Sequence, residues 1–84
     1  MNLYVMQVPV ISTAHLPGPS ALEDASLLYA MYMGGWFVYV EEDLEAEAPK
    51  WYLDVMQWAA DNGYPWVRFD CDGAVIDKLE KYEW

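Results

Sequence analysis

Three groups of side chains in this sequence have types and spacings that could do chemistry. Phe69-Asp70-Cys71-Asp72-Gly73 sets two carboxylates around a thiol at the end of an apolar run. Such a pair can supply a nucleophile and an acid/base or, with Asp77, oxygen ligands for Ca²⁺ or Mg²⁺. Ser12-Thr13-Ala14-His15 places hydroxyls beside the only histidine, the components of a hydroxyl nucleophile with an imidazole base. Glu41, Glu42, Asp43, Glu45 and Glu47 put five carboxylates into seven residues, which suits a basic partner.

The first two groups lack the context their chemistry needs. Asp70-Cys71-Asp72-Gly73 after a strand resembles the nucleophile loop of haloacid dehalogenase-type phosphatases, which implies attack on phosphate by Asp70 and acid/base work by Asp72. That loop opens a large parallel α/β domain, whereas 11 residues follow Gly73 here. Ala74 stands where the resemblance calls for Thr, and no downstream Lys and acidic metal site fits. A turn that uses Asp and Gly for their backbone geometry is the expectation. Gly73 directly after Asp72 also breaks EF-hand spacing, so no metal is expected. A His-assisted hydroxyl needs an orienting acid and an oxyanion hole, which adjacent residues do not provide. Ser12 or Thr13 is expected to bond local backbone instead. Asp70→Asn and His15→Ala are accordingly expected to leave binding nearly intact.

The acidic run is different in kind. Seven extended residues span at most ~23 Å, or one charge per ~5 Å. One DNA strand carries a charge per ~3.4 Å of axis. Asp54 and Asp61 are expected to extend this field along a helix face. The simpler alternative is a solvated loop that keeps an apolar chain soluble. Fourteen acids against four bases give a net charge of −10, which weights the choice toward a basic partner. The same charge excludes direct binding to nucleic acid, which requires clustered Lys and Arg, and disfavours an anionic membrane surface.

Eighty-four residues make a single domain, and 56% hydrophobic content excludes a disordered chain. Cys71 is alone, so no internal disulfide is available. The N-terminus lacks a basic n-region, and no apolar run approaches the roughly 18 residues of a spanning helix. A cytoplasmic protein of a bacterial host is expected.

Several elements must position these groups. Leu3–Ile11 predicts a strand rich in aromatic and β-branched residues, with Pro9 holding it to an edge or a bend. Ser20-x-x-Glu23 reads as a capping box opening a helix to about Met33, ended by Gly34-Gly35. Trp36–Val40 predicts a strand apolar on both faces. Pro49 suits the start of a second helix, Lys50 to about Asn62. Its polar stripe is Lys50, Asp54, Gln57 and Asp61, and its apolar face Trp51, Val55 and Trp58, with Gly63 as the stop. Pro65–Asp70 predicts a third strand, and Ala74–Ile76 a short antiparallel return. The expected fold is α/β (α+β): a two-layer sandwich of 3–4 strands in the order β-α-β-α-β(-β), with two helices on the sheet.

Fourteen aromatic residues exceed what 84 residues readily bury, and exposed Trp and Tyr anchor interfaces. The stretches Ile11–Leu16, Trp36–Val40, Phe69–Gly73, Val75-Ile76-Asp77 and Tyr82-Glu83-Trp84 resemble an uncharacterised family of small acidic proteins from bacterial mobile elements. In size and charge the chain is also similar to phage anti-CRISPR proteins that mimic DNA. The function expected is a non-enzymatic inhibitor. It would use Glu41, Glu42, Asp43, Glu45, Glu47, Asp54 and Asp61 to occupy the basic DNA-binding surface of a protein or nucleoprotein complex, such as a Cas effector. The alternative is an acidic accessory or antitoxin-like interaction module of a mobile element. No cofactor is expected, and a two-fold homodimer is, because one strand is apolar on both faces.

Overall fold

The computed structural model of the chain describes residues 5–18, 20–22, 29–41, 43 and 47–82. Four strands, β1 (Val10–Ser12), β2 (Tyr29–Tyr32), β3 (Gly35–Tyr39) and β4 (Trp66–Asp70), form one mixed sheet in the order β1-β4-β3-β2. β1 runs parallel to β4, and the other pairs are antiparallel. Helix α1 (Lys50–Asp61) covers one face, and a 3-10 turn (Thr13–His15) follows β1. Among the described residues the fold is a small α+β domain, with one helix against a four-stranded sheet. No described helix is long and apolar enough to cross a membrane.

The largest correction concerns residues 20–33. Ala21 and Leu22 are helical, but Tyr29–Tyr32 is a strand, so the expected helix to Met33 does not form. Glu23 of the capping box lies outside the described residues. Among the described residues the order is β-β-β-α-β, with one α-helix rather than two. Gly34-Gly35 does not stop a helix but turns a hairpin. Tyr32 pairs with Gly35 across the link Met33-Gly34, and Gly34 supplies the positive φ, 107°. Pairing with β3 overrides the local helix signals, as tertiary context commonly does.

β1 is shorter than expected: regular pairing spans Val10–Ser12, residues 5–9 carry no element, and Leu3 and Tyr4 lie outside the described residues. The return after Asp72-Gly73 is not an antiparallel strand. Ala74 instead forms a single parallel bridge to Ile11, with Ser12 N–H donating to Ala74 O at 2.8 Å and Ala74 N–H to Val10 O at 3.2 Å. Gly73 makes this crossing feasible, since a Cβ there would lie 2.4 Å from the Ile11 carbonyl. The chain thus covers the outer edge of β1 with its own backbone.

α1 matches its periodicity. Trp51, Tyr52, Val55, Met56 and Ala59 are buried, while Lys50, Gln57 and Asp61 face water. Its end is a Schellman motif: Tyr64 N–H donates to Ala59 O at 2.9 Å and Gly63 N–H to Ala60 O at 3.1 Å, with Gly63 at φ 75°. The Tyr64 and Trp58 rings close over that end at 5.7 Å. From the sheet, Ile11, Val38, Val67 and Phe69 complete the core with α1. Leu16, Leu22 and Leu79 join it from outside the strands.

Candidate functional site

The acidic run connects β3 to α1 and is fixed at both ends. Val40 N–H donates to Pro65 O at 3.0 Å, and Tyr52 N–H to Pro49 O at 3.0 Å. Glu41 is half-buried, and the hydroxyl of buried Tyr52 donates to its Oε1 at 2.6 Å. Asp43 and Glu47 are exposed, and Glu42 and Glu45 lie outside the described residues. Residues 41–47 contain no base and hold half of the net charge.

Asp54 and Asp61 do not simply continue that field. Lys50 Nζ donates to Asp54 Oδ2 at 2.7 Å, and Gln57 Nε2 to Asp61 Oδ1 at 2.8 Å. Lys50, Asp54, Gln57, Trp58, Asp61 and Lys78 line one open groove, so two cations stand beside two carboxylates. The Asp54 carboxylate raises the Lys50 pKa, through its hydrogen bond first and its charge second.

The Asp70–Gly73 segment is a turn. Asp72 N–H donates to Asp70 Oδ1 at 2.8 Å, and Gly73 N–H to Asp70 O at 2.9 Å. Oδ2 of Asp70 takes the Tyr32 hydroxyl at 2.7 Å and Arg68 Nη2 at 3.1 Å. These bonds, the Asp72 N–H first, hold the Asp70 carboxyl below the usual carboxylate range. Ligand atoms of Asp70, Cys71 and Asp72 lie within 4.8 Å of one another, but both oxygens of Asp70 are already engaged. Asp77 is not part of the cluster.

His15 is a structural residue. It is 1% exposed, with Nδ1 2.7 Å from Glu80 O and Nε2 accepting from Ile76 N–H at 2.9 Å. An acceptor at Nε2 places the ring proton on Nδ1, where it is donated to Glu80. Ser12 Oγ accepts from Ala14 N–H at 3.0 Å, the local backbone bond expected of it. Neither ring nitrogen is left for a nucleophile.

Outside the candidate site residues named from the sequence lies the sheet face opposite α1, which carries the second apolar face expected of Trp36–Val40. Strand alternation puts Ala30 and Tyr32 of β2, Phe37 and Tyr39 of β3, Trp66, Arg68 and Asp70 of β4, and Val10 of β1 on it. Phe37 is 36% exposed and Tyr39 41%. Arg68 lies over the Tyr32 ring at 4.9 Å and near the Phe37 ring at 5.7 Å, and its Nε donates to the Tyr32 hydroxyl at 2.8 Å. Tyr39 packs edge-on to Trp66 at 5.3 Å. The signal for this face is the alternation of Trp66-Val67-Arg68-Phe69-Asp70, in which Val67 and Phe69 are buried and Trp66, Arg68 and Asp70 are half-buried.

A small mixed sheet with one covering helix, an acidic connection and an open aromatic face defines a compact α+β domain. The model for the C-terminal domain of a family of unknown function, DUF5983, matches residues 8–84, and the chain belongs to that family. No curated protein and no solved structure matches it.

Proposed function

We propose that the chain is a non-enzymatic protein-binding inhibitor, carried by phage or other mobile elements, whose acidic run takes the place of a DNA strand. Its target would be a basic DNA-binding surface, such as that of a Cas effector, in the manner of an anti-CRISPR DNA mimic. The observation that carries this reading is the concentration of half the net charge in residues 41–47, on a connection tethered to the core at Glu41. Tethering lowers the entropy lost when carboxylates are ordered against a partner. The test is DNA binding by a Cas effector in the presence of the wild-type chain or a variant. Asp43→Lys, Glu45→Lys and Glu47→Lys together reverse six units of charge and spare Glu41. The wild type should block DNA and the folded variant should not. Equal blocking by both would leave the run as a solubilising loop.

A second reading is supported by the aromatic sheet face, whose residue Tyr39 adjoins the start of the acidic run. An accessory or antitoxin-like module would bind its partner through Phe37, Tyr39 and Trp66, and its acids would act only in solubility. Phe37→Ser with Tyr39→Ser would then abolish capture of the partner, while the Lys triple variant would retain it.

A further inference from the structure

The two edges of the sheet are treated differently. Beyond β1 the backbone at Ala74 already occupies the outer hydrogen-bonding groups of Val10 and Ser12. Beyond β2, among the described residues, nothing pairs. β2 reads Tyr29-Ala30-Met31-Tyr32, without a proline, a charge or a bulge, the usual protections of an edge. Tyr29 is 36% exposed, Met31 74% and Met33 at the hairpin tip 99%.

The phase of the ladder shows which groups are unused. Gly34 O accepts from Cys71 N–H at 3.0 Å, beside the facing pair Gly35 and Asp70. Antiparallel pairs alternate between bonded and non-bonded, so Gly35 turns its amide groups toward β2 and Trp36 toward β4. Met31 and Tyr29, opposite Trp36 and Val38, therefore direct N–H and C=O away from the sheet. Two outward residues separated by one residue form a self-complementary unit.

We infer that β2 pairs antiparallel with β2 of a second copy of this chain, about a two-fold axis at Ala30, giving a continuous eight-stranded sheet. Tyr29 of each copy then faces Met31 of the other on the helix side, and the two Ala30 residues meet on the open face. This register keeps helix side against helix side and matches donors to acceptors in both directions.

Charge selects a second copy over a charged peptide. Residues 25–40 contain no ionisable Asp, Glu, Lys, Arg or His, the longest such segment in a chain of net charge −10. Two such chains repel overall, so an uncharged edge is where they approach at low cost. Because the β1 edge is occupied, pairing stops at a closed dimer and does not propagate. A four-residue edge falls well short of the roughly 800 Å² per partner of stable complexes, so the dimer is weak. Salt strengthens it by screening the like charges, the opposite of its effect on binding to a basic partner. The inference is independent of the acidic-run proposal, and this opposite salt response separates the failure of one from the failure of the other.

The test is sedimentation equilibrium of the full chain, from about 10 µM to 1 mM, in low salt and in about 0.5 M NaCl. The expected result is a shift toward twice the monomer mass that grows with salt and is lost in Met31→Lys. Met31→Lys is first checked by circular dichroism, and should that variant not fold, amide hydrogen exchange on the wild type decides. Tyr29 and Met31 amides should exchange at least about tenfold more slowly at the high concentration than at the low one. A monomer at every concentration and salt, a dimer retained in folded Met31→Lys, or unchanged exchange at Tyr29 and Met31 would overturn the inference.

Discussion

The hydroxyl of Tyr32 on β2 donates to Oδ2 of Asp70 on β4 at 2.7 Å, crossing β3 where Gly35 has no side chain. The two strands are not neighbours, so this bond joins the outer hairpin to the centre of the sheet. A Cβ on Gly35 would lie 1.7 Å from Phe69 O and 2.9 Å from the Tyr32 hydroxyl. Gly35→Ala should therefore displace backbone and cost about 3–5 kcal/mol, at the far end of what single substitutions do. Tyr32→Phe removes only the hydroxyl bonds and should cost about 1 kcal/mol. Urea unfolding of both variants checks the order, and equal effects would contradict the crossing.

The bonds at Asp70, the Asp72 N–H first and the Tyr32 hydroxyl second, make stability vary with pH. Asp70 titrates below its ordinary value of 3.8 in the folded chain, so its contribution is complete above that value and is lost as pH falls through the folded pKa. Tyr32 titrates above its ordinary value of 10.0, chiefly because burial disfavours the phenolate. Its contribution is complete below pH 10.0 and is lost as pH rises through the folded pKa. Asp70→Asn should melt below the wild type at neutral pH, and the gap should narrow in acid below pH 3.8. Thermal melts at pH 7 and pH 3 make the comparison, and a gap that widens in acid would reverse the sign.

His15 joins the first strand to the C-terminal segment through Glu80 O and Ile76 N–H, near the bond from Tyr82 N–H to Ala14 O at 2.7 Å. The sequence expectation for His15→Ala concerns binding alone, whereas these bonds bear on stability. Truncation leaves a cavity and two unmet backbone groups, and should cost about 2–4 kcal/mol. Leu79, which is buried, should become accessible to protease cleavage in its neighbourhood before global unfolding. A variant within about 0.5 kcal/mol of wild type would show that the ring is replaceable.

The legible parts of this chain are those whose local signals agree with the packing. α1 announces itself by Pro49, its apolar spacing and Gly63, and the Asp-Gly turn by residue type. The segment 29–33 is legible only through its partner: its Leu and Met neighbours favour a helix, and Gly34-Gly35 serves a helix stop or a hairpin equally well. What decides is the close approach at Gly35, a long-range fact with no local signature. The parallel bridge at Ala74 is hidden for the same reason, because an isolated bridge has no periodicity. For the candidate site, the charge of residues 41–47 is plain from composition. The aromatic face around Arg68 emerges only when register places Phe37 beside Arg68.

Side-chain pairing on α1 limits how far the acidic surface extends. On α1, Asp54 is paired with Lys50 and Asp61 is held by Gln57, with Lys78 lining the same groove. A basic partner approaching this groove meets cations as well as carboxylates, so the local field is weak. Residues 41–47 offer carboxylates alone. Near physiological salt the screening length is roughly 8 Å, so only contacting charges contribute strongly. Asp54→Asn with Asp61→Asn should weaken binding to a basic DNA-binding protein by about twofold, the scale of exposed charges. Asp43→Lys, Glu45→Lys and Glu47→Lys together should weaken it by more than about tenfold, mostly through slower association. Association rates measured by surface plasmon resonance at two salt concentrations distinguish these outcomes. If the α1 pair costs as much as the run, the partner contacts one continuous acidic face spanning both, and Lys50 and Lys78 would have to turn away from it on binding.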